Sequence, residues 1–134
     1  MRAAKSQSGV MLIEALIGIL IFSIGILAMI GMQATAMRNT TDARYRSEAA
    51  FLATQIVGQM WVDRANLMSY TAPGYAPRDA WATQVSATLP GIPSGAPAPT
   101  IAVGAGNEVT VTIRWLQPGE TQVRQITLVN RING

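Results

Sequence analysis

One carboxylate, Glu14, stands near the start of an apolar stretch long enough to cross a membrane, and it is the residue in this chain best placed to do chemistry. From Ser8 the sequence reads Ser-Gly-Val-Met-Leu-Ile-Glu-Ala-Leu-Ile and then runs to Met32 without another charge. A carboxylate at mid-bilayer costs roughly 2.5–3.5 kcal/mol on translocon scales, so an acid in such a setting calls for a partner. A free amine would serve. If the chain is cut between Gly9 and Val10, the new ammonium of Val10 lies one helical turn from Glu14 and on the same face, because positions i and i+4 are neighbours on a helix.

The remaining residue types exclude most catalysis. The chain has no Cys and no His, so it offers no thiol nucleophile, no imidazole base and no ordinary zinc site. Its one Lys, Lys5, falls in the segment such a cut would remove. Asp42, Glu48, Asp63, Asp79, Glu108 and Glu120 show neither calcium-loop nor paired-acid spacing. Gly104-Ala105-Gly106 leads into a strand pattern and reads as a turn rather than a phosphate cradle. We therefore expect no enzyme activity, no cofactor and no metal. The formal charge of +3 falls to +1 once Arg2 and Lys5 are removed, leaving eight basic against seven acidic residues. The other arginines are scattered, and no direct nucleic-acid binding is expected.

The elements that must position Glu14 follow from periodicity. Val10 to Met32 is 23 residues, about 35 Å of helix, which matches a hydrocarbon core of roughly 30 Å. Arg2 and Lys5 ahead of it place the N-terminus in the cytoplasm by the positive-inside rule, with the remainder exported. Beyond Met32, Tyr45, Ala49, Leu52, Ile56 and Met60 recur at helical spacing, with Arg44, Glu48, Gln55 and Asp63 off the stripe. No Pro interrupts Val10 to Tyr70, so a single rod is allowed, apolar all round in its first half and one-sided in its second.

Six of the seven prolines then fall between Tyr70 and Pro99, marking an irregular connection. Inside it Asp79 is expected to cap a short helix bearing Trp81, Val85 and Leu89 on one face, with Trp81 as a core anchor. Glu108 to Trp115 alternates strictly, Gln117-Pro118-Gly119-Glu120 supplies a turn, and Thr121 to Asn130 returns as a second strand. Val123, Ile126 and Leu128 do not share one phase, which predicts a bulge or a switch of buried face. Thr100 to Val103 would add a third strand. The expected organisation is a leader at 1–9, a transmembrane helix at 10–33, its amphipathic half at 34–69, a Pro/Gly-rich connection with a short helix at 70–99, and a small antiparallel sheet at 100–134. The fold class is α+β, a long helix packed on that sheet.

A short basic leader ending in Gly9, an apolar helix, and Glu14 as the fifth residue after the junction resemble the class III signal of type IV pilins and type II secretion pseudopilins. The resemblance implies the pilin fold, cleavage between Gly9 and Val10 by prepilin peptidase, N-methylation of Val10, and use of Glu14 to neutralise the terminal amine of a neighbouring subunit as helices stack. Val10 stands where the family usually has Phe. Ile24 to Gln33, Met37-Arg38-Asn39 and Met60 to Asn66 look like minor pilins of the PilV, or pilus modification, type, over residues 6 to about 70. That implies a low-abundance subunit that joins other minor pilins and the major pilin to prime pilus assembly, in support of twitching motility and adhesion. It would lie in the inner membrane before assembly and in the pilus afterwards.

The alternatives are a minor pseudopilin of the I type, a single-span anchor for a periplasmic binding domain, and a secreted protein cut near Ala34-Thr35-Ala36. Their mature N-termini differ: Val10 for a pilin or pseudopilin, Met1 or Arg2 for the plain anchor, and a start near Met37 for the secreted protein.

Overall fold

The structure is a computed structural model that describes residues 8–91 and 98–133. Leader positions 1–7, with Arg2 and Lys5, and connection positions 92–97, with Pro93 and Pro97, lie outside the described residues. The chain divides after Thr41 into two compact units.

The first unit is helical throughout its described length. Helix α1 runs Ser8–Val62, with its first part in this unit and its last part in the second. No Pro occurs within it, and Gly18, Gly25 and Gly31 do not interrupt it. Its apolar segment is long enough to cross a membrane, and none of the most hydrophobic window is buried within the chain. Such a segment must satisfy its own polar groups. The hydroxyls comply: Ser23 Oγ donates to the Ile19 carbonyl at 2.7 Å, and Thr35 Oγ1 to that of Gly31 at 3.1 Å.

In the second unit the helix becomes one-sided. Ala49, Leu52, Ala53, Ile56, Val57 and Met60 are buried, and they lie on one face at steps of three, one, three, one and three. Facing pairs such as Arg44 with Glu48 at 2.9 Å and Arg46 with Asp42 at 3.0 Å occupy the solvent side. The α-helix ends at Val62 rather than reaching position 69. Arg64–Thr71 is instead a 3-10 segment, broken at Asn66 (φ −112°, ψ 21°). Asp63 and Asn66 supply the cause, because their side chains bond each other at 2.7 Å and compete with the continuing ladder.

Helix α2, Ala76–Thr88, starts earlier than a cap at Asp79 would give. Tyr75 holds the capping position, Pro77 occupies the first turn, and Asp79 lies inside the helix, where its Oδ2 accepts the Gly74 N–H at 2.8 Å. Trp81, Val85 and Leu89 are buried as expected. The Trp81 indole Nε1 donates to the Leu52 carbonyl of α1 at 2.9 Å, pinning the two helices together.

Strands β1 (Thr100–Val103), β2 (Glu108–Trp115) and β3 (Arg124–Arg131) form an antiparallel sheet in the order β1-β2-β3. Val109, Val111, Ile113 and Trp115 of β2 are fully buried and share one core with the α1 stripe and α2. Gln117 O accepts from Glu120 N at 3.0 Å, and Gly119 takes φ +83°, a turn with Pro118 before a residue of positive φ. The expected bulge in β3 is not made. All eight β2–β3 pairs keep one register, from Glu108 with Arg131 to Trp115 with Arg124. The strand begins at Arg124, not Thr121, so Val123 falls outside it while Ile126 and Leu128 stay in phase on the inner side.

Candidate functional site

Gly9, Val10 and Glu14 occupy the first turns of α1, and all three are exposed. Because the helix already includes them, Val10 and Glu14 lie one turn apart on the same face, with Cβ atoms about 6 Å apart by helical geometry. Between Val10 and Met32 only two side chains are polar, Glu14 and Ser23. Ser23 is satisfied within the helix. Among the described residues Glu14 has neither an ion pair nor a hydrogen-bond partner, and no second acid or base lies on the apolar surface around it.

Sequence reasoning did not anticipate a second cluster. The Asp63 carboxylate accepts hydrogen bonds from Asn66 Nδ2 at 2.7 Å, Tyr70 OH at 3.1 Å and Tyr75 OH. The two tyrosine rings meet edge to face with centroids 4.9 Å apart. These bonds hold Asp63 below the usual carboxylate range, the Tyr75 hydroxyl contributing most and the Asn66 amide next. Burial, followed by the bond to Asp63, pushes the Tyr70 hydroxyl up to about 12, and the bond to Asp63 raises that of Tyr75. The cluster fastens the end of α1 to the 3-10 segment and to the start of α2. Asp63 and Asn66 three apart, followed by two tyrosines, is the signal that was present in the sequence.

Arg78 and Asp79 pair at 3.0 Å beside a shallow groove of about 360 Å³ whose other walls include Ala82, Thr83, Ser86 and Pro99. The Gly74 N–H first, and the Arg78 guanidinium second, hold the Asp79 carboxyl below its ordinary range. The groove brings together one ion pair and hydroxyls already bonded to helix carbonyls, with no base and nucleophile in contact. Among the described residues, no three potential metal ligands gather.

Among the described residues, the apolar segment of α1 from Val10 to Met32 thus carries one charge without a partner, Glu14, and the second unit is a small α+β fold. Neither a family model, nor a curated protein, nor a solved structure matches the chain.

Proposed function

We propose that this chain is a minor pilin, a low-abundance subunit that joins other minor pilins and the major pilin through helix stacking and helps prime assembly of a type IV pilus. The observation that carries the reading is the contrast between Ser23 and Glu14. The hydroxyl finds its partner inside the helix, whereas the carboxylate finds none among the described residues. Its counter-charge must then come from outside the helix as it stands. An ammonium released at Val10 by prepilin peptidase fits, since one turn separates it from Glu14 and a neighbouring helix at matching depth would present the same pair. In this reading the chain first crosses the inner membrane once, with its N-terminus cytoplasmic and the 42–134 unit periplasmic, and then enters the filament core.

Glu14→Ala tests the assignment in cells that assemble pili. Cleavage after Gly9 is expected to stay intact while incorporation into sheared filaments and co-purification with other pilins fall, because the terminal ammonium loses its counter-charge in low dielectric. Normal incorporation and normal co-purification of that variant would remove the role assigned to Glu14.

A further inference from the structure

The apolar segment of α1 ends at Met32, and its buried stripe starts at Ala49. Between them the helix changes character. Every residue from Gln33 to Thr41 is exposed, and Gln33, Thr35, Arg38, Asn39, Thr40 and Thr41 make the stretch too polar for lipid to cover. The first partly covered residues beyond it are Asp42, which accepts from Gln117 Nε2 at 3.4 Å, and Tyr45, which packs against the core. The division between the two units falls at the same place, after Thr41. This stretch is helical with neither a lipid-compatible surface nor core packing, although most helix stability in proteins comes from such packing.

Its own sequence supports it poorly. Asn39, Thr40, Thr41 and Asp42 are consecutive, and all these residue types stand near the bottom of the helix scale, just above Gly and Pro. Thr40 Oγ1 donates to the Ala36 carbonyl and Thr41 Oγ1 to that of Met37, both at 2.9 Å, and Thr35 Oγ1 donates to that of Gly31 at 3.1 Å. Such bonds share the carbonyl with the helix ladder and slightly destabilise it. Ser23 and Thr54 bond in the same way, but singly, one within the apolar segment and the other beside the buried stripe. Charge adds no brace. Asp42 is four residues from both Arg38 and Arg46, yet it pairs with Arg46 at 3.0 Å, and Arg38 has no ion pair among the described residues.

We propose that Asn39 to Asp42 form a hinge in α1, a turn that opens and closes while the helix stays formed in the apolar segment before it and in the packed part after it. Local opening concentrates where backbone hydrogen bonds are exposed to water and apolar burial is absent, which is the condition of this stretch. Opening frees the amides of Asn39 to Asp42 and the carbonyls four residues back, Thr35 to Arg38. The side chains at hand suit that state. Asn, Asp and Thr bond free backbone groups in non-helical conformations, so the open turn finds local partners. The hinge rests on neither Glu14 nor a cut at Gly9, and it goes beyond the filament reading.

The test is amide hydrogen exchange on the full chain in detergent, read residue by residue by NMR and corrected for the intrinsic rate of each amide. The amides of Asn39 to Asp42 are expected to exchange about 100-fold or more faster than those of Ile19 to Ser23 and of Leu52 to Ile56. Combining Asn39→Ala, Thr40→Ala and Thr41→Ala removes two of the side-chain bonds to helix carbonyls and raises helix propensity. That variant should slow the same amides about tenfold or more and leave Leu52 to Ile56 unchanged. Thr54→Ala removes the same kind of bond beside the buried stripe and should leave Asn39 to Asp42 as they were. Equal protection along the whole of α1, or exchange at Asn39 to Asp42 that the triple substitution does not slow, would overturn the proposal.

Discussion

The two parts of α1 are built from similar residues and meet opposite fates. From Val10 to Met32 the large apolar side chains are exposed on every side of the helix, Val10 at 70% and Leu20 at 60%, whereas Ala49, Ile56 and Met60 in the second unit are completely buried. What separates them is pattern rather than hydrophobicity. A one-sided stripe can be satisfied by a small sheet from the same chain, but an all-round apolar surface is too wide for any single neighbour and needs lipid or several helices. The first part therefore looks outward for partners, and the second keeps them within its own unit.

Truncation should separate the two parts most sharply. Trp115→Ala removes a fully buried indole from the core that β2 shares with the α1 stripe and should cost about 3–5 kcal/mol in denaturant unfolding of the full chain in detergent. Leu20→Ala should stay within about 0.5 kcal/mol in the same measurement, since the Leu20 side chain is exposed. A comparable loss in both variants would break the contrast.

The turn and the Asp63 cluster sharpen it with smaller effects. Gly119→Ala forces a side chain onto a backbone at φ +83° and should cost about 1 kcal/mol or slightly more. Tyr70→Phe keeps the buried ring and removes one hydrogen bond to Asp63, an expected loss of about 0.5–1 kcal/mol. The pH dependence follows from the same bonds. Asp63 and Asp79 titrate lower in the folded chain than in the unfolded one, so their contribution is complete above the ordinary Asp value near 4 and fades as pH falls through their depressed values. Tyr70 titrates higher when folded, so its contribution holds below about 10 and is lost as pH rises through about 12. Unfolding midpoints recorded from pH 2 to 12 should be level in the middle and fall at both ends, with the alkaline fall reduced in Tyr70→Phe.

Local pattern made much of this architecture readable from residue types. The α1 stripe, the strict alternation of Glu108 to Trp115 and the Gln117-Pro118-Gly119-Glu120 turn each encode their geometry within a few residues. The structure departs from local pattern where distant or side-chain contacts decide. Asp63 stops α1 because Asn66, Tyr70 and Tyr75 converge on it, and no helical period reports that convergence. Val123 breaks the alternation only for a strand that starts at Thr121, and register with β2 starts β3 at Arg124 instead. Ala53 and Val57 widen the buried stripe into a second column because the sheet and α2 both lie on that side. Gly9, Val10 and Glu14 stood out in the sequence for the converse reason, as a charge at fixed spacing in an apolar run that needs no tertiary contact to be seen.

Release of α1 at Val10, which would free an amine to pair with a Glu14 carboxylate, is read out by the intact mass of the protein purified from membranes of cells with and without prepilin peptidase. A peptidase-dependent mass for a chain that begins at N-methylated Val10 is expected. A chain that keeps Met1 or Arg2 in both strains, or one that begins near Met37, would contradict it.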